Sequence, residues 1–488
     1  MSINCYYMQN CHGKCEKLTR NAVDSVNNYP AQHLCMTDEV ALARASVDAI
    51  RRYGGRVHMV GVLGAGMSPL ARLLVSRGVA VSGSDMAFST DRAVSLGIPV
   101  TPHTSSGLSG TRLFVYSLAV PSDSPELVYA RENSIPAVSR AALLGALMLD
   151  YSTAVTVSGT HGKSTTVAML DLILRRGGCS ATVISGATLT DGESFRLGGK
   201  DILLAEACEY KNAYHHLAPT HALITNIELD HPDFFRSETE LYNSFLHFSR
   251  RAGTVYLNLN CPTSRRLSCE REINAVTYGT PDSDYPVTDV TVGAGGSDFT
   301  VRIDGTPTRF HLPAIGRGNL YDALGAIAVC CRMGVPVSNI VAGIADFSGI
   351  GRRLEYLGTI DGRPIYYDYA HHPTEIANTL DALASVGLRP AVIFRPHTYS
   401  RTAGLFDSFA SVLRRSALTV VLDIFAARES PIDGVDASAL AGSIGGGAIA
   451  LASDIALDYV LSHSDGGIVL MGAGDVDGIL HEVRGRLD

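Results

Sequence analysis

Residues 151–176 place an apolar strand directly before a glycine-rich loop, a lysine and a helix, and few folds accommodate that succession. Tyr151–Val157 runs into Ser158-Gly159-Thr160-His161-Gly162-Lys163-Ser164-Thr165-Thr166. The following helix carries Val167, Leu170, Ile173 and Leu174 on one face, and Gly177-Gly178 ends it. In an α/β sheet this turn aims backbone N–H groups and a helix N-terminus at one spot, which suits phosphate oxygens. Lys163 then reaches the β- and γ-phosphates, and Ser164 offers a hydroxyl to Mg2+. The loop is the short G-T-x-G-K-S form, with Val157 where the longer form has its first glycine. Lysine occurs only at Lys14, Lys17, Lys163, Lys200 and Lys211, so a lysine in this loop is not background. The sequence therefore predicts a nucleoside triphosphate site at Gly159, Thr160, His161, Gly162, Lys163, Ser164 and Thr165.

Two further strands end in acids. Ile202–Ala205 leads to Glu206-Ala-Cys-Glu209, and Ala222–Asn226 leads to Glu228-Leu-Asp230-His231-Pro-Asp233. Carboxylates at strand ends beside a phosphate loop supply the oxygen ligands that Mg2+ takes. His231 fits less naturally, because imidazole is not a preferred Mg2+ ligand. Upstream, His58–Val62 reads as a strand, Gly61-Val-Leu-Gly64-Ala-Gly66 as a turn and Met67–Arg77 as a helix. A second strand, Val79–Ser82, leads to Gly83-Ser84-Asp85, an acid about 20 residues beyond the glycines, as in a nucleotide-binding βαβ unit.

Downstream of the loop, Gly253–Asp304 reads as β-rich, Leu320–Arg332 as a buried helix, and Ser348–Arg353 as a hinge. A third alternating unit follows. Ile365–Asp368 precedes Tyr369-Ala-His371-His372-Pro-Thr, and Pro390–Arg395 precedes Pro396-His397-Thr-Tyr-Ser-Arg401. A last strand, Ile468–Met471, runs into Gly472-Ala-Gly474-Asp475. Polar groups again gather at strand carboxyl ends, where open α/β sheets bind ligands.

Composition excludes other classes. The 488 residues predict two to four domains at roughly 100–200 residues each. With 46% hydrophobic and 18% charged residues, wholesale disorder is excluded. A net charge of −8 without a basic run argues against non-specific nucleic-acid binding. No apolar run has the length of a membrane span, and the first 30 residues lack the apolar core of a signal peptide. A cytoplasmic enzyme is expected, with no nucleic-acid partner and no membrane insertion. Ten scattered cysteines do not form a disulfide framework, and the irregular spacing of Cys5, Cys11, His12 and Cys15 argues against a zinc cluster.

Taken in order, H-M-V-G-V-L-G-A-G-M-S, S-G-T-H-G-K-S-T-T, E-A-C-E-Y, N-I-E-L-D-H-P-D-F-F, G-R-R-L-E, D-Y-A-H-H-P-T-E and P-H-T-Y-S-R resemble the Mur ligases of peptidoglycan synthesis over Arg56–Val476. The last two motifs are similar to those of the alanine-adding branch. The resemblance implies an α/β protein of three domains. After an N-terminal extension (1–55) come a Rossmann-like UDP-sugar domain (56–150), a central P-loop ATPase domain (151–348) and a C-terminal Rossmann-like amino-acid domain (349–488). It implies that ATP phosphorylates the carboxylate of UDP-N-acetylmuramate and that the amine of L-alanine attacks the acyl phosphate, in a monomer or homodimer.

By the same resemblance, Lys163, His231, Arg353 and His371 are catalytic. Asn319 contacts adenine, Asp368 the ribose and Arg353 the γ-phosphate. Ser164, Glu206 and His231 hold metal, and His371 and Arg401 take the amino acid, Arg401 through a bidentate pair with its carboxylate. Gly61, Gly64, Gly66, Asp85 and His103 face the UDP-sugar. Leu63, Gly318 and Asp322 depart from the family pattern, where Gly, His and Asn are usual. Two other readings stay open: a related ligase with a peptide acceptor or another nucleotide sugar, and a non-catalytic paralogue that binds both nucleotides.

Overall fold

The computed structural model describes residues 37–427, 429–473 and 477–487. Cys5, Cys11, His12, Cys15 and the Gly474-Asp475 turn lie outside the described residues. Packing divides the chain into two compact units. One holds the described residues up to Ser152 together with Ala213–Pro219, and the other holds Thr153–Asn212 and Thr220 onward. Residues 213–219 thus join the first unit although they fall within the stretch expected for the central domain.

The first unit is a five-stranded parallel sheet in the order Val100–Thr101, Val81–Ser84, Arg56–Val60, Thr111–Tyr116 and Ala137–Ser139. The helix Asp38–Tyr53 packs beside it. Thr37 caps its first turn by accepting from the Val40 N–H, and Val40, Ala43, Val47 and Ile50 form its buried stripe. The second strand is Val81–Ser84, two residues later than the apolar pattern suggests. Gly83 therefore lies inside it, where a Cβ would stand 2.5 Å from Val62 Cγ1. Glycine lets this strand approach the first turn so closely.

The second unit contains three sheets. Its seven-stranded sheet runs Ala275–Tyr278, Thr254–Asn258, His221–Ile224, Thr153–Ser158, Ile202–Glu206, Ala181–Ile184 and Phe195–Arg196, parallel except at the Phe195–Arg196 edge. Val57–Val60 of the first unit and Val155–Val157 here are buried from both faces, as parallel strands require. The helices Lys163–Arg176 and Arg317–Arg332 share one core on this sheet, with Val167, Leu170, Ile173 and Leu174 fully buried as the periodicity predicts. The second helix begins three residues before the expected Leu320, because Gly316 at φ 95° turns the chain into it. The Gly253–Asp304 stretch holds four strands and a short helix, Pro262–Leu267, begun by proline at its first position.

An antiparallel trio, Val287–Gly293, Gly296–Ile303 and Thr306–Leu312, covers part of that core. The last sheet runs Glu355–Ile360, Arg363–Asp368, Ile468–Gly472, Ala391–Arg395, Leu418–Val421 and Ile449–Ala450, parallel beyond the first pair. Among the described residues no helix is long and apolar enough to cross a membrane.

Candidate active site

In the second unit, the strand Thr153–Ser158 lies between Ile202–Glu206 and His221–Ile224, so the phosphate loop emerges between two acid-bearing strand ends. Chain order reverses there, which opens a crevice at the carboxyl ends. The loop is tight. Gly159 sits at φ 128°, and a Cβ on it would fall 2.1 Å from Thr225 Oγ1. The Thr160 hydroxyl donates to Glu228 O at 2.9 Å, and the Asn226 carboxamide accepts from the His161 N–H at 2.9 Å. The helix starts at Lys163, with Ser164 and Thr165 buried in its first turn.

Lys163 points back over its own loop. Its ammonium donates to the carbonyls of Gly159 and Thr160 and to both oxygens of Glu209 at 3.2 Å. Burial alone would lower its pKa, but Glu209, Cys208 and Glu206 more than offset that and raise it. Glu209 stays ionised for the reciprocal reason, since Lys163 and His231 outweigh its burial. Glu206 Oε1 accepts from Ser185 Oγ (3.1 Å) and Gly186 N (2.7 Å). His231 adopts φ 54°, lies tilted against Tyr210 with ring centroids 4.7 Å apart, and sets Nε2 3.5 Å from Glu209 Oε1.

A cleft of about 300 Å³ beside the loop is lined by His161, Gly162, Thr165, Asn319, Asp322, Arg353 and Asp368, among others. It brings together six of the residues that sequence reasoning assigned to ATP, while Gly159, Thr160, Lys163 and Ser164 do not line it. Asn319 Nδ2 donates to Ile315 O at 2.8 Å, which fixes its amide plane. Asp368 accepts from the Thr379 hydroxyl at 2.5 Å and the Ala370 N–H at 3.1 Å, and burial pushes its pKa up to about 6. Arg353 also lines the neighbouring cleft and lies over the Tyr369 ring at 5.3 Å. A Cβ at Gly318 would meet nothing closer than Asn378 at 3.8 Å, so glycine leaves this wall of the cleft open.

The third cluster gathers His371, His397 and Arg401. His371 Nδ1 donates to Tyr369 O at 2.8 Å, which leaves Nε2 as the bare nitrogen. Burial lowers its pKa to about 4, so the ring is neutral near pH 7. Burial does the same to His397, whose Nδ1 accepts from Arg401 Nη1 at 3.1 Å. Arg401 is not the free fork that the sequence suggests. Its Nε and Nη2 already donate to Asp230 at 2.9 and 3.2 Å, and both side chains are buried. Despite burial, His231 and Arg401 hold the Asp230 carboxyl well below the usual carboxylate range. A ligand carboxylate can therefore meet only the remaining Nη hydrogens, unless Asp230 withdraws.

In the first unit, Gly61 at φ 82° donates from its N–H to Ser84 O at 2.7 Å, and Gly64 N donates to Gly61 O at 3.1 Å. Asp85 stitches the turn, since Oδ2 accepts from Leu63 N (2.9 Å) and Oδ1 from Ala87 N (2.9 Å). A Cβ at Gly66 would press on Arg140 at 3.1 Å. His103 Nδ1 lies 3.3 Å from Ser84 Oγ and 2.7 Å from Oε1 of the fully buried Glu126.

Three residues escaped sequence reasoning. Glu209 was visible only as part of an acidic cluster. Asp230 meets Arg401 across 171 positions, a pairing no local pattern reveals. Glu375 closes a capping box whose first member is His372 rather than Ser or Thr, so the usual S/T-x-x-E signal is masked.

Three family models match successive segments of the chain. A Mur ligase family catalytic domain matches residues 56–152, a Mur ligase middle domain 157–330, and a Mur ligase glutamate ligase domain 352–474. The UDP-N-acetylmuramate–L-alanine ligase of Thermobifida fusca is 38% identical over 446 residues, covering 86% of this chain and 94% of the relative. That of Syntrophus aciditrophicus is 34% identical, covering 90% and 95%. Among solved structures, the UDP-N-acetylmuramate–alanine ligase of Thermotoga maritima superposes with a TM-score of 0.74 at 25% identity, over 88% of this chain and 99% of that one. A murein peptide ligase of Psychrobacter arcticus shares the fold, with a TM-score of 0.65 at 22% identity over 88% and 98% of the two chains. On these matches, spread across all three segments that carry the phosphate loop, the acidic strand ends and the histidine–arginine cluster, the chain belongs to the Mur ligase family.

Proposed function

We propose that this chain is an ATP-dependent ligase that joins L-alanine to UDP-N-acetylmuramate in peptidoglycan precursor synthesis. One observation carries the reading. A phosphate loop with a half-buried, charged lysine opens on the same unit as a neutral histidine and a buried arginine suited to an amino acid.

In this reading ATP lies in the cleft beside Asn319 and Asp368, with its phosphates on Gly159–Thr165. Lys163 and Arg353 neutralise charge as the γ-phosphoryl group passes to the sugar's carboxylate and ADP leaves. Phosphoryl transfer between anions needs such neutralisation more than covalent help. The alanine carboxylate rests on the outer Nη hydrogens of Arg401. The amine attacks the acyl carbon, the bond to phosphate breaks, and His371 Nε2 takes the amine's proton. A divalent cation such as Mg2+ would be held by the Ser164 hydroxyl and Glu206. The oxygen donor set fits a hard cation, and a Cβ at Gly186 would crowd the Glu206 carboxylate at 3.0 Å. When bound, the cation supplies charge stabilisation to the phosphates. The UDP-sugar is assigned to the Gly61–Gly66 turn, Asp85 and His103, and the enzyme to the cytoplasm.

The test is phosphate release from Mg·ATP with UDP-N-acetylmuramate and single amino acids in turn. Release with alanine, lost in Lys163→Ala, is expected. Release with a tripeptide but not with alanine, or silence with every amino acid despite ATP binding, would overturn it.

A further inference from the structure

Glu375 is a largely buried carboxylate, its side chain 11% exposed, on which three of the proposed sites converge. It sits in the first turn of the helix Pro373–Ser385. Its Oε1 lies 3.1 Å from His161 Nδ1 in the phosphate loop and 3.7 Å from Arg353 Nη1. Its Oε2 accepts from the N–H groups of His371 (2.9 Å) and His372 (3.2 Å) and lies 3.5 Å from His371 Nδ1. The far side of the His161 ring is 3.4 Å from Glu228, whose Oε2 accepts from the Thr374 hydroxyl at 2.7 Å. His161 is thus clamped between an acid of the central sheet and an acid of the last sheet's first helix. No other role in the site requires this.

Capping does not explain the charge. A capping box works with Gln as well as Glu, because it needs an acceptor and not an anion. Here the anion is largely withdrawn from water and shared among an imidazole, a guanidinium and the turn that carries His371. Charge pairs removed from water are screened little and hold their partners in fixed positions. Electrostatics agree with the geometry. Burial opposes ionisation of Glu375, but His371 and His161 hold it well below the usual carboxylate range. Burial likewise opposes the His161 proton, but Glu375 and Glu228 raise that pKa to about 9.

We infer that Glu375 is a positioning residue of the ligation. Through His161 and Arg353 it fixes the phosphate-binding edge of the cleft, and through His371 the amine-binding edge, so that acyl phosphate and amine meet in register. The inference rests on the ligase reading above and adds to it a residue that need touch neither substrate.

The experiment uses the full chain with Glu375→Gln, Glu375→Asp, His161→Asn and the Glu375→Gln/His161→Asn double variant. Thermal midpoints, alanine-dependent phosphate release and binding of a non-hydrolysable ATP analogue are measured for each. Glu375→Gln keeps the cap, so its midpoint stays within a few degrees of wild type. Its kcat is expected to fall about 100-fold, the scale of a reactant misplaced by an ångström, while Glu375→Asp recovers part of that loss. The double variant should lose no more than the worse single, because the part His161 plays in the positioning runs through Glu375. Wild-type kcat and KM in Glu375→Gln would reduce the residue to a cap and overturn the inference. Full additivity in the double variant would overturn it too, since His161 would not be the route.

If wild type itself gives no alanine-dependent release, the ligase reading fails first. The ATP analogue then decides separately. Binding about tenfold weaker in Glu375→Gln, one charge-assisted contact's worth, supports the positioning role, and unchanged binding rejects it.

Discussion

Asp322 shows how one residue can set a pH dependence. Its carboxyl is packed behind the phosphate loop, so a Cβ on Gly162 would lie 2.3 Å from Oδ1. Burial raises its pKa to about 8, against smaller lowering by Thr166, Arg353 and His161. The folded value lies above the unfolded one of 3.8, so the group's contribution to stability is fully present below pH 3.8 and is lost as pH rises through about 8. Asp322→Asn should therefore match wild type near pH 4, gain on it progressively from there to about pH 8 and keep a constant lead above that, as denaturant midpoints across the range will show. Its ATP affinity should also stay flat above pH 8, where a wild-type carboxylate would face the phosphates. Parallel pH curves for the two proteins would contradict this account.

Lys163 and Glu209 separate stability from catalysis. Removing the lysine alone strands a buried carboxylate, which costs about 3 kcal/mol or more. Lys163→Met is expected to be both inactive and destabilised. Lys163→Met/Glu209→Gln should regain most of the stability and none of the activity. A double variant as unstable as the single would mean that Lys163 is held by its carbonyl partners, Gly159 and Thr160, rather than by the acid.

At the scale of elements, the strands and turns around the site reward a comparison of glycines. Gly159 combines φ 128° with a Cβ position 2.1 Å from Thr225 Oγ1 and 2.9 Å from Asn226 O. Gly159→Ala must displace the loop, and loss of nucleotide binding is expected along with a stability cost of about 2 kcal/mol or more. Gly293, in the antiparallel trio, has open space and no positive φ. Gly293→Ala should leave activity alone and shift stability by less than about 1 kcal/mol. Thermal midpoints and analogue titration on both variants test the contrast.

The same loop explains what the sequence makes legible. Apolar periodicity places the phosphate-loop helix and its buried face correctly because packing on a parallel sheet is a local, one-face requirement. It misplaces the strand at 81–84 because Gly83 contributes no apolar signal, although the backbone needs it there. It starts the 317–332 helix late because polar Arg317 and Asn319 face the cleft rather than the core. Carboxylates at strand ends are visible as clusters, but which acid serves which cation is not. Glu209 with Lys163, Asp230 with Arg401 and Glu375 with His161 are tertiary choices, separated by 46, 171 and 214 positions.

For the whole molecule, the division into two compact units carries its own prediction. A ligand stabilises the part that binds it by mass action, by about 2.7 kcal/mol at 100 times its Kd. The phosphate loop, Asn319, Asp368 and Arg353 all belong to the second unit, and the Gly61–Gly66 turn with Asp85 belongs to the first. Calorimetry should therefore resolve two transitions, because units with separate cores need not unfold together. A non-hydrolysable ATP analogue should raise the midpoint of one, and UDP-N-acetylmuramate alone that of the other.

The nucleotide-sensitive transition should also carry the His161 signature. The folded pKa of about 9 lies above the ordinary 6.5, so the stabilisation is complete below pH 6.5 and fades as pH rises through 9. His161→Asn should flatten that decline in the one transition and leave the other untouched. If both transitions moved with the analogue, or if the alkaline decline survived the substitution, the proton on His161 would not be what ties the phosphate loop to Glu228 and Glu375.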